Sequence, residues 1–257
     1  MTLTAQRRGH VLVITLDRPE ARNAINLETA TALAAAVELL NTDDDLRVGV
    51  LTGTAPAFCA GQDLKALAAG EGIVLPEHPE WGFAGFAHHP SAKPIIAAVN
   101  GFAFGGGFEL ALACDLIVAS DAARFGLPEV TRGLIAGGGG IPRLAQKVPP
   151  NVAARIIYTG EPISAAEAER WGLVSEVVAP ESLMDAALAL ADSIAAKAPL
   201  AIRASKRLLE ELAHESAYTA AAGSAIAREF LAAAASEDAA EGIAAFAEKR
   251  DPVWRGR

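Results

Sequence analysis

The sequence predicts an α/β fold with a mainly parallel sheet and a C-terminal set of helices, and three observations carry that reading. First, the run Val11 to Leu16, the Ala/Leu-rich segment Leu27 to Leu40 and the run Val48 to Gly53 give strand, helix and strand in succession. That order implies a right-handed crossover between parallel strands. Second, the apolar run Ile95 to Val99 is followed by Gly105, Gly106 and Gly107 and by a helix-like segment starting near Phe108. Third, the chain reads as helices almost continuously from Asn151 to Lys249.

Each element has a local reason. Val11-Leu12-Val13-Ile14-Thr15-Leu16 is rich in β-branched residues and closes at the turn Asp17-Arg18-Pro19. Asn26 stands where an N-cap belongs for the helix Leu27 to Leu40. A strand-like run from Leu116 to Ala119 follows the helix near Phe108. Residues 70 to 91 show no period and read as a long loop or broken helix; it carries Pro76, Pro79, Pro90, His78, His88, His89, Trp81, Phe83 and Phe86. Further on, helices are expected at Val152 to Tyr158, Ala165 to Trp171, Leu183 to Ala196, Ala201 to Leu212, Ala217 to Ala235 and Glu237 to Lys249, with a short strand from Val174 to Val178. Ser164 followed three residues on by Glu167 is a capping box.

Length and composition bound the function. A chain of 257 residues with 52% apolar content can bury a sizeable core. Its net charge of −9 speaks against sequence-independent binding to nucleic acid or to anionic membranes. Cys59 and Cys114 sit in apolar surroundings outside any Cys/His ligand spacing and read as buried free thiols. The longest apolar stretch, Ile95 to Ala119, is broken by Asn100, Glu109 and Asp115, so no membrane span is expected. No signal-like segment precedes the first strand, and the expectation is a cytoplasmic protein. The three histidines lack a helical His-x3-His spacing, so no metal site is expected.

Chemistry concentrates between Asn100 and Glu129. Three glycines at a strand-to-helix turn let backbone approach a ligand, and the first helical turn leaves unpaired N–H groups backed by the helix dipole. Such a turn can hold a developing oxyanion. Glu109 lies in that first turn, where on position alone it complements the dipole; Glu129 lies in the loop Phe125-Gly126-Leu127-Pro128-Glu129. Together, two acids and an oxyanion-binding turn supply what hydration of a double bond conjugated to a thioester needs. One group deprotonates water, the other protonates the α-carbon, and N–H donors hold the enolate oxygen.

These residues resemble the enoyl-CoA hydratase (crotonase) family. Ala57-Phe58-Cys59-Ala60-Gly61-Gln62-Asp63-Leu64 resembles the family's first oxyanion loop, and Pro94 to Gly101 its central strand. The run Gly101 to Leu110 and the C-terminal stretches Ser236 to Asp238 and Phe246 to Trp254 resemble its crotonobetainyl-CoA hydratase (carnitinyl-CoA dehydratase) branch. The resemblance covers nearly the whole chain. It implies a crotonase-like (ββα) superhelix spiral core over residues 1–195, and a helical trimerisation lobe over residues 196–257.

The resemblance also implies roles. Glu109 would activate water, Glu129 would protonate the α-carbon, and the backbone N–H groups of Gln62 and Gly106 would form the oxyanion hole. Gln62 stands where alanine is commoner, but the contribution is main-chain. Ala60, Asp63, Leu64 and Lys65 of the first loop would line the substrate, Trp81, Phe83 and Phe86 would shape the acyl pocket, and Lys65 with Lys249 of a neighbouring chain would meet CoA phosphates. The aromatic trio could equally cage a trimethylammonium or wall in a fatty acyl chain. CoA enters as part of the substrate, so no separate cofactor is expected. The expected partners are an acyl-CoA thioester and copies of the same chain, as a homotrimer or a dimer of trimers, with no nucleic acid and no membrane. The glycine run Gly137 to Gly140 is not followed by Lys-Ser/Thr and is no P-loop; Leu134-Ile135-Ala136-Gly137 departs from the family's usual pattern there. Competing readings are a double-bond isomerase of the same fold, an RNA-binding hydratase-like protein, which the acidic balance opposes, and a catalytically silent scaffold.

Overall fold

The computed structural model describes residues 2–213 and 220–257. In chain order it runs β1 (Leu3–Arg8), β2 (Val11–Leu16), α1 (Leu27–Thr42), β3 (Val48–Gly53), β4 (Ala57–Cys59), α2 (Leu64–Ala68), β5 (Ile95–Val99), β6 (Phe102–Phe104), α3 (Gly106–Ala113), β7 (Leu116–Ser120), β8 (Arg124–Gly126), α4 (Gly140–Lys147), α5 (Pro150–Thr159), β9 (Ile163–Ser164), α6 (Ala165–Arg170), β10 (Glu176–Val178), α7 (Leu183–Ala195), α8 (Pro199–Glu211), α9 (Ala220–Ala234) and α10 (Glu237–Glu248). The helix expected from Ala217 begins, among the described residues, at Ala220; positions 217–219 lie outside them.

Two sheets share the work. One has the order β1-β2-β3-β5-β7-β10, parallel throughout except for the antiparallel β1–β2 hairpin. The other has the order β4-β6-β8-β9, with β4, β6 and β8 parallel. The strands alternate between them: β3, β5 and β7 enter the first sheet, and β4, β6 and β8, each only a few residues later, enter the second. Helices α2 and α3 return the chain for the next turn, which is the ββα spiral. Strand β1 has no counterpart in the sequence reading, because LTAQRR buries only Leu3 and offers no apolar run. It is a polar edge strand, held by its register with β2 rather than by its own hydrophobicity.

The central strands β2, β3, β5 and β7 of the larger sheet are largely buried on both faces, which is why they read as continuous apolar runs. Val48, Val50, Ile96, Ala98 and Val118 face α7, where Ala187, Ala191 and Ala195 let the helix lie close. Leu51, Ile95, Ala97 and Val99 face the main core with Leu33, Val37 and Leu40 of α1. Asn26 caps α1, its Oδ1 accepting the Thr29 N–H at 3.0 Å. The Ser164–Glu167 capping box forms at the start of α6, and Cys59 and Cys114 are free and buried.

The C-terminal helices are tied to the core by charge. Lys206 of α8 is 8% exposed and donates to both oxygens of Asp115, at 2.6 and 2.8 Å. Asp115 Oδ2 also accepts the Ile95 N–H at 2.8 Å, so one carboxylate links α8 to the first residue of β5. Removing one partner of such a pair strands the other charge in a poorly solvated site. Lys206→Ala is expected to lower unfolding free energy by on the order of 3 kcal/mol, measured by urea denaturation; an unchanged midpoint would show that the pair is solvent-screened.

Candidate active site

The site begins with strand register. In the parallel pair β6–β8, Phe102, Ala103 and Phe104 stand opposite Arg124, Phe125 and Gly126. The Gly105 N–H continues the ladder to the Gly126 carbonyl at 2.9 Å. The two strands therefore end side by side. The chain leaving β6 turns at Gly105, with φ 54° and ψ −128°, straight into α3, and brings Glu109 round in the first turn. The chain leaving β8 passes Leu127 into a 3-10 turn, Pro128–Arg132, that carries Glu129. A Cβ on Gly105 would lie 3.2 Å from Glu129 Oε1, so the glycine is what the second carboxylate rests on.

The N–H donors come from two loops brought into contact. Ile25 forms an isolated parallel bridge across Gln62: its N–H donates to the Gly61 carbonyl and its carbonyl accepts the Asp63 N–H, both at 2.8 Å. That pairing uses the groups flanking Gln62 and turns the Gln62 N–H to the opposite side. Gly61, at φ 90°, faces Gly106 so closely that its Cβ would sit 3.0 Å from the Gly106 nitrogen. Gly106 opens α3, so its N–H has no intrahelical acceptor. The tip of the Phe83 ring lies against Gly106, where an added Cβ would come within 2.3 Å of Cζ.

Both carboxyl groups are held above the ordinary carboxylate range. For Glu109, 3% exposed, burial is the main cause, offset in part by backbone N–H groups at Gly140 and Gly138 and by Arg143. For Glu129, burial again leads, and the neighbouring Glu109 charge pushes further in the same direction. The two are not equivalent. Glu109 Oε1 accepts the Gly140 N–H at 2.8 Å, whereas Glu129 Oε2 is buried with no hydrogen-bond partner. Gly140 is the first residue of α4, so Glu109 meets a helix N-terminus, but that of α4 rather than of its own α3.

The glycine run therefore has a structural task that composition does not reveal. A Cβ on Gly138 would lie 2.7 Å from Glu109 Oε2, and one on Gly140 2.8 Å from its Cγ. Only bare backbone fits over that carboxylate. The run is also pinned rather than loose: Arg143 donates to the Gly138 carbonyl at 3.0 Å and to the Ala87 carbonyl, joining it to the 70–91 loop. Gly138, Gly140 and Arg143 were not among the residues expected at the site. The signal was an arginine one helical turn after the glycines.

The remaining expected residues divide. Phe83 is at the site. Trp81 is stacked between His78 and His89, with ring centroids 3.8 and 3.7 Å away and nearly parallel planes, so both indole faces are covered. It cannot offer a face to a trimethylammonium. His89 also bonds Glu38 at 2.8 Å and the Gly85 carbonyl at 3.0 Å. Phe86 is buried in the core and borders a cleft of about 900 Å³ shared with His88, Gly139 and Arg143, which includes neither glutamate. Asp63 is committed to structure, capping α2 through the Lys65 and Ala66 N–H groups and pairing with Arg18 at 3.1 Å. Burial pushes its carboxyl up, but those bonds outweigh it and hold it below the usual range. Ala60 donates its N–H to the Arg22 carbonyl. Leu64 and Lys65 are exposed on α2, and Lys249 is exposed after α10. Among the described residues no group of three or more His, Cys, Asp or Glu side chains is arranged to hold a metal, and no helix is long and apolar enough to cross a membrane.

Backbone N–H groups from two loops beside the buried Glu109 and the half-buried Glu129, on a ββα spiral, define a hydro-lyase of the crotonase fold. The enoyl-CoA hydratase/isomerase family model matches residues 6–257, and the chain belongs to that family. It is 46% identical over 261 residues to a carnitinyl-CoA dehydratase from Salmonella paratyphi A, covering 100% of this chain and 99% of the relative. Among solved structures it matches an enoyl-CoA hydratase from Mycobacterium marinum at TM-score 0.92 and 44% identity. It matches a carnitinyl-CoA hydratase from Mycobacterium avium at TM-score 0.80 and 50% identity. Each structural match covers 100% of this chain and 99% of the other.

Two outcomes follow from this geometry. Because the folded state raises the Glu109 pKa, stability that the protonated group provides at acid pH is lost as pH rises through that value. Glu109→Gln is therefore expected to melt above the wild type at pH 7 to 8, the gain vanishing below about pH 4; equal melting across that series would place the carboxyl in water. Gly106→Ala meets only a side chain, whereas a Cβ on Gly107 would come 2.1 Å from the Cys59 carbonyl. Adding Phe83→Ala should recover stability lost in Gly106→Ala and recover none in Gly107→Ala, each single overpacking cost being about 1–3 kcal/mol. Equal recovery would contradict the assignment.

Proposed function

We propose that this chain adds water reversibly, in the syn sense, to a trans-2-enoyl-CoA thioester. The observation that carries the reading is the pair of carboxyl groups, Glu109 buried and hydrogen-bonded to Gly140 and Glu129 half-buried with Oε2 unpartnered, beside N–H groups that point away from the local backbone ladder. The thioester oxygen lies between the N–H groups of Gln62 and Gly106, which stabilise the enolate as charge develops on it. Glu109 takes a proton from water as the C–O bond forms at the β-carbon, and Glu129 delivers a proton to the α-carbon. The Gly140 N–H on Glu109 favours its anion and so supports the base role. The unpartnered Glu129 oxygen, close to the Glu109 charge, favours the protonated acid. The two groups titrate as a coupled pair, and the roles exchange on reversal.

A second reading concerns the acyl group. The identity to relatives named carnitinyl-CoA dehydratase, 46% across the whole chain, favours crotonobetainyl-CoA as substrate. A quaternary ammonium would then rest near Phe83 rather than on Trp81. For the assembly, exposed Phe230, Leu231 and Ile243 on α9 and α10, at 69, 66 and 73%, support burial in a homotrimer or dimer of trimers, where Lys249 and Lys65 could meet CoA phosphates across or within subunits. Free buried thiols and the lack of a membrane-length helix among the described residues are consistent with action in the cytoplasm.

The test is loss of the conjugated-thioester absorbance with crotonyl-CoA and with crotonobetainyl-CoA. Glu109→Gln and Glu129→Gln should each lower kcat by about 10²–10⁴-fold, and the preferred substrate decides between acyl groups. Turnover that survives either substitution would overturn two-carboxylate hydration.

A further inference from the structure

A second cavity lies at the N-terminal ends of the larger sheet's parallel strands. It encloses about 260 Å³ and is bordered by six cationic side chains, Arg47, Lys93, Lys197, Arg203, Arg255 and Arg257, against one carboxylate, Asp44. In a chain of net charge −9 this concentration of cations needs a reason. Arg47 immediately precedes β3 and Lys93 closely precedes β5, so the cavity sits at the N-terminal ends of the parallel strands. The glutamates follow the C-terminal ends, beyond β6 and β8. One thioester cannot be held by both places through the same acyl group, and the cavity is separate from the candidate active site.

Internal partners account for some of the cations. Arg47 donates to the Ala195 and Trp254 carbonyls at 2.9 and 3.2 Å, and Arg257 pairs with Glu237 at 3.1 Å. Lys93, 3% exposed, donates to the Leu40 and Asp43 carbonyls at 2.8 and 2.7 Å, which leaves one of its three ammonium protons unused. Arg203 and Lys197 make no ion pair among the described residues, and Arg203 Nε is buried with no acceptor. Burial weakens the Lys93 proton affinity and the nearby Arg203 charge weakens it further, offset in part by Asp44. A buried guanidinium N–H without an acceptor is costly, and an anion between Arg203 and Lys93 would supply one while relieving the repulsion between them. The volume falls below the roughly 300–1,000 Å³ of pockets for drug-sized ligands, which suits a mono- or diphosphate group.

We propose that this cavity is a binding site for a small phosphate-bearing anion, with Arg203 and Lys93 as its inner ligands and Lys197 at its rim. The group could arrive as free diphosphate or as the diphosphate of a coenzyme, and the chemistry of recognition is the same. Binding at the foot of β3 and β5 would also join α1, α8 and the C-terminal tail, so the bound form should unfold at higher temperature.

The experiment is calorimetric titration of the full-length protein with pyrophosphate at low ionic strength, repeated with saturating free CoA. The expected result is one saturable site per chain, weakened about tenfold or more in both Arg203→Gln and Lys197→Gln, with the pyrophosphate-induced rise in Tm lost in parallel. Lys197 is exposed, so its variant keeps the test sound should Arg203→Gln fold poorly, and it should leave thioester turnover unchanged. Competition by CoA would assign the site to a coenzyme diphosphate, and its absence to free diphosphate; either supports the site. No saturable binding to the wild type, or binding that both variants leave intact, would overturn it.

Discussion

The candidate centre depends on a three-residue parallel pairing. Strands β6 and β8 are short, but their register decides where two chain segments emerge, and with them the positions of Glu109 and Glu129. A slip of one residue would move one carboxyl by about 3.3 Å along the strand and exchange its inward and outward side chains. The register is locked from both sides. Phe108 and Phe125 pack in the core with ring centroids 5.4 Å apart, and Gly101 and Gly107 lie against the Pro56 and Cys59 carbonyls too closely for any side chain. The glycines are thus packing residues as much as turn residues.

Placing two carboxyl groups in this interior has an electrostatic consequence. Each is destabilised as an anion by lost hydration, and each anion opposes the other, so the pair favours sharing one proton. The fold sorts the difference through backbone. A helix N-terminus meets Glu109 at Gly140, and nothing meets the second oxygen of Glu129. Arg143 stands behind the first contact, holding the Gly138 and Ala87 carbonyls rather than touching either carboxylate. Its charge also favours the Glu109 anion, while its hydrogen bonds fix the position of the glycine run.

The same interior explains how the fold can carry two sets of ionic chemistry at opposite ends of its parallel strands. The central strands β2, β3, β5 and β7 of the larger sheet are apolar, so charged groups on them are confined to where strands begin and end. Beyond the C-terminal ends of β6 and β8, in the smaller sheet, stand the two glutamates; at the N-terminal ends of β3 and β5, in the larger one, cations surround a small cavity. Helix α7 and helix α1 seal the faces between.

Much was legible in the residue order. Apolar runs of strand length, Asn26 ahead of a helical segment, the Ser164–Glu167 box and the triple glycine are local signals, and each formed the expected element because local and tertiary preferences agree there. The resemblance carried the two glutamates as well. Strand β1 was not legible, since a polar edge strand is stabilised by its partner's hydrogen bonds and not by its own side chains. Nor was the covering of Trp81 by two imidazoles, or the meeting of Glu109 with α4 instead of its own helix. The Trp81 stack joins residues three and eight apart in a segment without a period, and the Glu109–Gly140 contact spans thirty-one residues; neither leaves a periodic trace in the chain. By itself, the sequence determined which segments become strands and helices and which acids are available. Only the tertiary structure decided what each acid faces, because desolvation and hydrogen bonding are properties of the assembled neighbourhood.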